Sequence, residues 1–187
     1  MSVAPARHFS LGAELHALAP EEQGAAAAFL ADHPPGLGAP LAIVIPAYNE
    51  APSVAGVLEE IPAEAGGLRT EVIVVVDGAE DATAARAHQA GAFVCDVPVN
   101  RGQGAALKLG YWLARVRGAQ LICTIDADGQ YDPEEIGRVI EPILAQPPDP
   151  PLTAPYEYLI NAPTATEMPV VIEQERVAVA NGKGVGL

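Results

Sequence analysis

The chain has 187 residues, half of them hydrophobic, enough to bury one sizeable core but too few for two comfortable domains. Acidic residues outnumber Lys and Arg by 24 to 10, and the formal charge of -14 repels phosphate backbones and excludes non-specific nucleic-acid binding. An anionic ligand would have to be held by a metal ion or by backbone amides.

In chain order, residues 1–40 are rich in Ala and Pro and read as an N-terminal extension with one helix. That helix opens at Pro20, carries Glu21 and Glu22 in its first turn, and runs to about Asp32, where His33-Pro34-Pro35-Gly36 stops it. Its apolar run, Ala25 to Ala31, follows acidic rather than basic residues and is far shorter than the roughly 20 residues that span a bilayer. The expectation is a cytoplasmic protein whose membrane contact, if any, is peripheral.

From Leu41 the pattern changes to continuous β-branched runs, Leu41 to Ile45, Glu71 to Val76, Ala92 to Val97 and Leu121 to Ile125. Helical periodicity separates them at Ser53 to Ile61, Ala82 to Ala90, Gly104 to Val116 and Pro133 to Leu144. Alternation of this kind predicts an α/β domain over 41–146, with a mostly parallel sheet covered by helices on both faces. Residues 147–187 read as a Pro-rich linker and a short β-rich tail, with strands at Val170 to Ile172 and Val177 to Ala180 and Asn181-Gly182 as a hairpin turn. Cys95 and Cys123 stand 28 positions apart in apolar runs and read as buried hydrophobes, and the four histidines share no metal-ligand spacing.

The chemistry-bearing residues follow the strands. Leu121 to Ile125 ends in Asp126-Ala-Asp-Gly-Gln130, and in open α/β sheets ligands collect beyond the carboxyl ends of strands. Asp126 and Asp128, two residues apart, point to one side if the extended geometry persists, and can then grip a divalent cation; Gln130 could add a neutral oxygen. Asp132-Pro133 is a helix start instead. The first strand ends in Pro46-Ala-Tyr-Asn-Glu50, where Tyr48 could stack on a base or ribose and Glu50 could accept from sugar hydroxyls. A Pro-Ala turn with Asn49 at a helix cap explains the same residues structurally, and both readings stay open. Asp77 stands at the end of the second run and could read donor groups of a base, whereas Asp81 caps the next helix. Asn100-Arg-Gly-Gln-Gly-Ala105 is a strand-to-helix loop bearing Gly102 and Gly104, whose amides can receive a phosphate. Arg101 and Lys108 are the basic groups near it, Lys108 reading equally well as part of a solvated helix face.

Taken together, in this order and at these intervals, Val44-Ile-Pro-Ala-Tyr-Asn-Glu50, Val75-Val-Asp-Gly78 with Asp81, Asn100-x-Gly-x-Gly-Ala105 and Asp126-Ala-Asp-Gly-Gln130 resemble the family 2 glycosyltransferases of GT-A fold, most nearly their polyprenol-phosphate (dolichol-phosphate) mannosyl- and glucosyltransferase branch. The resemblance implies a GT-A-like, Rossmann-like fold truncated on the acceptor side. It implies a nucleotide-diphosphate-sugar donor, GDP- or UDP-hexose, lined by Pro46, Ala47, Tyr48, Glu50, Val75, Asp77, Gly102, Gly104, Asp126, Ala127 and Asp128, with Mg2+ or Mn2+ on Asp126, Asp128 and Gln130. The hexosyl group would pass to an acceptor such as a polyprenyl phosphate at the membrane surface, whose oxygen is already anionic and needs no base. The sequence departs from the family in having Val76 for the first of two aspartates and Gln103 for a common lysine, and 147–187 does not match the family's acceptor half. Glu157, Glu167 and Glu173 have no surroundings that make one a base, so no catalytic residue is assigned.

The alternative expectation is a nucleotide-sugar-binding module that does not transfer, or does so only with a partner; a homodimer is a further expectation. An NAD-dependent enzyme would place glycine at Leu107, and a nucleotidyltransferase would open with a basic glycine-rich loop; neither pattern is present.

Overall fold

The computed structural model describes residues 18–145 in full, together with the backbone of three further strands within 157–181. Helix α1 (Pro20–Asp32) precedes strand β1 (Leu41–Ala47), followed by α2 (Val54–Glu60), β2 (Glu64–Ala65), β3 (Leu68–Asp77), α3 (Thr83–Gln89), β4 (Phe93–Val97), α4 (Gln103–Arg117) and β5 (Leu121–Thr124). A 3-10 turn at Pro133–Glu135 leads into α5 (Ile136–Ala145), and the described strands end with β6 (Glu157–Asn161), β7 (Glu167–Glu173) and β8 (Arg176–Asn181).

One sheet holds all eight strands. From β3, with β2 and β4 sharing its outer edge, the order runs β1, β5, β6, β7, β8. The pairs β4–β3, β3–β1, β1–β5 and β5–β6 are parallel, whereas β6–β7 and β7–β8 are antiparallel. β1 has the second strand of the chain's parallel series on one side and the fourth on the other, so the order reverses there and a crevice opens at the carboxyl ends.

Two-residue alternation along the central strands divides the core. Leu41, Ile43 and Ile45 of β1, Val74 and Val76 of β3, and Leu121 and Cys123 of β5 pack with Val54, Leu58, Ala87, Ile136 and Ile140 on one face. Ala42, Val44, Ile73, Val75, Cys95 and Ile122 pack on the other with Phe29 of α1 and Leu109, Trp112 and Leu113 of α4. Helices thus cover both faces, as the near-continuous apolar runs of the buried strands require. Gly110 lets α4 lie close to the sheet, because a Cβ there would come within 2.4 Å of Val44 Cγ1. Cys95 and Cys123 fall on opposite faces, and burial pushes both thiols up to about 12.

At the amino end of the sheet, Glu71 and Arg117 form a two-pronged ion pair of 3.0 and 3.1 Å with both side chains 5% exposed. Glu71 also accepts from the Ala39 amide at 3.0 Å, Arg117 donates to the Pro34 carbonyl at 3.2 Å, and the guanidinium lies 4.7 Å over the Phe93 ring. This satisfied cluster ties the segment after α1 to β3, β4 and α4. His33 sits within the same contact, its ring 4.8 Å from Phe29 and 4.5 Å from Phe93.

The turn expected at Asn181-Gly182 lies partly outside the described residues. β7 and β8 pair with each other across 174–175, and Asn181 is the last residue of β8, while Gly182 lies outside the described residues. Pro169 falls at a register irregularity between Glu167 and Val170, where a residue without an N–H is tolerated. Among the described residues no helix is long and apolar enough to cross a membrane.

Candidate functional site

Each parallel strand delivers its terminal residues to one crevice. β1 continues to Ala47, three positions past Val44, the last residue of β1 paired with β5. Pro46 is therefore flanked by a strand only on the β3 side, and its missing N–H leaves the sheet intact. Beyond Ala47 the chain turns sharply at Asn49, whose φ of +56° is the only positive value among described non-glycine residues. Asn tolerates this conformation, and Asn49 Oδ1 accepts from the Glu80 amide at 2.9 Å. Asn49 is thus a turn residue and not the helix cap; Ser53 precedes α2.

A network from α3 fixes this turn. Thr83 Oγ1 donates to Asp81 and accepts from the Glu50 amide at 2.8 Å. The Ala51 amide donates to Asp81 Oδ2 at 3.1 Å, and Arg86 donates to the Ala51 carbonyl at 2.8 Å. The Thr83 hydroxyl and backbone hydrogen bonds hold the Asp81 carboxyl below its usual range. Asp81 therefore serves the start of α3, as its position suggested. Glu50 receives the Ser53 hydroxyl at 2.7 Å and remains at the crevice.

At the end of β3, Asp77 is 3% exposed, and its two oxygens accept the backbone amides of Arg101 at 2.8 Å and Gly102 at 2.6 Å. Gly78 permits the close approach this needs. It has φ +67°, donates to the Val97 carbonyl at 2.8 Å, and a Cβ there would lie 2.2 Å from the Asn100 nitrogen. The expectation that the glycine-bearing loop offers its amides to a phosphate is therefore corrected for Arg101 and Gly102, whose N–H groups already serve Asp77. Arg101 turns its guanidinium toward Glu21 at 3.6 Å, and Lys108 is exposed on α4.

β5 ends at Thr124, so Asp126 and Asp128 lie in a turn rather than on an extended strand. Both still line the crevice with Ala127 between them. Asp128 is exposed and accepts the Gln130 amide at 3.0 Å; Gly129 takes φ +76° to close the turn. Asp126 is half-buried. Burial foremost, then the charge of Asp128 and more weakly that of Glu50, pushes its carboxyl above the usual range, while a 3.0 Å hydrogen bond from Gln103 opposes the shift. Asp132 accepts the Glu134 amide at 2.9 Å and starts the 3-10 turn.

The resulting cleft of about 400 Å³ is lined by Pro46, Ala47, Tyr48, Glu50, Asp77, Gly102, Asp126, Ala127 and Asp128, all singled out from the sequence. Asn100, Gln103 and Ala106 line it as well and had been given no role in the site. Their signal was adjacency to the loop glycines. Of the remaining candidates, Val75 is fully buried in the face packed against α4, Gly104 is exposed in the first turn of α4, and the exposed Gln130 is not among the lining residues. Tyr48 stands at the rim, 49% exposed.

Among the described residues no Lys or Arg side chain lines this cleft, and the charges of Asp128 and Glu50 both act on Asp126. That surplus of negative oxygen fits a hard divalent cation. Among the described residues no group of three or more His, Cys, Asp or Glu side chains is placed to hold a metal, so the protein would offer a pair of carboxylates rather than a closed cage. Such a pair suits Mg2+ or Mn2+ completed by ligand phosphates and water.

Comparison with known proteins agrees with this architecture. The profile of "Glycosyl transferase family 2" matches residues 42–168, and the chain belongs to that family. A transferase of Serratia proteamaculans, described as an undecaprenyl-phosphate 4-deoxy-4-formamido-L-arabinose transferase, is 39% identical over 109 residues, which is 54% of this chain and 32% of that protein. An uncharacterized protein of Methanocaldococcus jannaschii is 36% identical over 102 residues, covering 54% of this chain and 41% of its own length. The chain thus spans between about a third and two-fifths of the length of these relatives. Among solved structures, glucosyl-3-phosphoglycerate synthase of Mycobacterium tuberculosis in complex with uridine-diphosphate superposes with a TM-score of 0.50 at 27% identity, over 66% of this chain and 44% of that one. The fold is of the GT-A type, a mixed α/β sheet with helices on both faces.

Proposed function

We propose that this cleft binds a nucleotide-diphosphate-sugar, a GDP- or UDP-hexose, together with Mg2+ or Mn2+, and that the hexosyl group passes to an acceptor such as a polyprenyl phosphate at a membrane surface. The observation that carries the reading is the convergence of the three strand ends and the Asn100 loop on one cleft that has carboxylates and, among the described residues, no cationic side chain. Pro46, Ala47 and Tyr48 would meet the base and ribose, Glu50 the sugar hydroxyls, and Ala127 the ribose or diphosphate, with Gly102 and Gly104 bordering the nucleotide. Asp126 and Asp128 would hold the cation, and Gln130 would reach it only by turning inward. When bound, the cation neutralises charge that develops on the departing diphosphate. Asp77 would act on the nucleotide through the loop amides it holds, and Val75 as packing beneath the base.

Support comes from family membership, from a relative described as acting on undecaprenyl phosphate, and from a neighbour crystallised with uridine-diphosphate. A second reading is a module that binds the nucleotide-sugar and transfers only with a partner. Calorimetric titration with UDP- and GDP-sugars, with and without Mn2+, tests the donor site. Mn2+-dependent binding is expected, at least tenfold weaker in Asp128→Ala; a chain that binds no nucleotide-sugar under either condition refutes the proposal. Transfer of labelled hexose to polyprenyl phosphate in vesicles then separates the two readings.

A further inference from the structure

Gln103 is the first residue of α4 and is locked from both sides. Before it, Gly102 takes φ +90° and donates its amide to Asp77 Oδ2 at 2.6 Å and to Asn100 Oδ1 at 3.0 Å. After it, the Ala105 and Ala106 amides close on the Gly102 carbonyl at 2.9 and 3.2 Å. The backbone that carries Gln103 is therefore set by a buried carboxylate 25 positions earlier in the chain, not by local turn preference. From that fixed origin its side-chain amide crosses the cleft mouth and donates to Asp126 Oδ1 at 3.0 Å.

We infer that Gln103 is a positioning residue, whose amide holds one oxygen of Asp126 so that the other is presented to a divalent cation; this rests on the metal-assisted donor site proposed above. The physical case has two parts. Asp126 lies beyond the strand end at Thr124, so backbone pairing does not orient its carboxylate, and the side-chain amide of Gln103 holds it at the cleft wall. A donor must restrain it. A neutral amide does this without adding positive charge that would compete with the cation, and hydrogen bonds to a ligating carboxylate are worth roughly 10–100-fold in metal affinity.

The exposed position of Gln103 makes its replacement harmless to packing. Gln103→Met keeps the length and helix propensity of the side chain and removes only the donor, while Gln103→Ala removes both. Mn2+ binding, followed by the loss of the free-ion paramagnetic resonance signal in the presence of UDP, is the readout, with melting temperature as its companion. Both variants are expected to bind Mn2+ roughly tenfold or more weakly, with an unchanged melting temperature. Wild-type Mn2+ affinity in Gln103→Met overturns the inference alone. Failure of the wild-type protein to bind Mn2+ with UDP present overturns the metal reading beneath it, and so is distinguishable.

Discussion

Gly78 joins two parts of the site. A Cβ at this position meets the Asn100 nitrogen at 2.2 Å and the Val99 carbonyl carbon at 2.6 Å, and its φ of +67° disfavours any L side chain. Neither neighbour is a flexible side-chain tip, so the loop backbone itself must move. Gly78→Ala is expected to cost about 2–5 kcal/mol, the sum of a left-handed backbone penalty and overpacking, read by urea denaturation. UDP affinity should fall in the same variant, because Asp77 then loses its hold on Arg101 and Gly102. Sequence reasoning reached the residues at strand ends because an acid directly after an apolar run is conspicuous. It did not reach what those acids do. Asp77 reads as a base contact until a loop 24 positions away brings two amides to it, and Gln103 gains meaning only because Asp126 lies across the cleft.

Among the elements, the segment from α1 to β1 depends on the Glu71–Arg117 pair. Removing one partner strands a buried charge, so Arg117→Met alone is expected to destabilise the fold by about 3–5 kcal/mol. The double variant Glu71→Leu, Arg117→Met should recover a large part of that loss, which a double-mutant cycle in denaturant measures. His33, against the same cluster, gives a pH signature. Burial, followed by the positive charge of Arg117, lowers its pKa below the ordinary 6.5, against weaker opposite influences from Asp32 and Glu71. The unfolded chain then takes up the proton more readily than the folded one, so the contribution of His33 is fully present above about pH 6.5 and is lost as pH falls from there through the lowered folded value. Stability measured across that window should fall less steeply in His33→Gln than in wild type.

The helices and the four central strands were legible from periodicity, and α1 matches its expected bounds, Pro20–Asp32. Other features were hidden for identifiable reasons. β2 is two residues long and carries no alternation. β6 follows a proline-rich stretch and becomes a strand by pairing with β5, a tertiary gain that no local pattern announces. The 3-10 turn before α5 replaces a helix expected from Pro133, because Asp132 caps a tight turn first.

At the scale of the whole molecule, the strand order decides function, and it was not legible from local pattern. Only pairing β1 between β3 and β5 brings Tyr48, Asp77 and Asp126 together. The charge of -14 surrounds that cleft with a field that repels any free diphosphate. Without metal, UDP should therefore bind more tightly as salt rises from about 20 to 200 mM, by a few-fold, since the screening length shortens to roughly 7–8 Å. With Mn2+ present this dependence should weaken or reverse, and titration calorimetry at the two salt concentrations distinguishes the cases.

The two cysteines have a practical consequence. Each is shut inside a different face of the sheet, with a thiol that stays protonated at any working pH, so maleimide reagents should leave the native chain unlabelled. A single cysteine introduced at the rim, as in Tyr48→Cys, would then be the only reactive sulfur. A fluorophore placed there would report occupancy of the cleft in real time, against a background that needs no removal of native thiols.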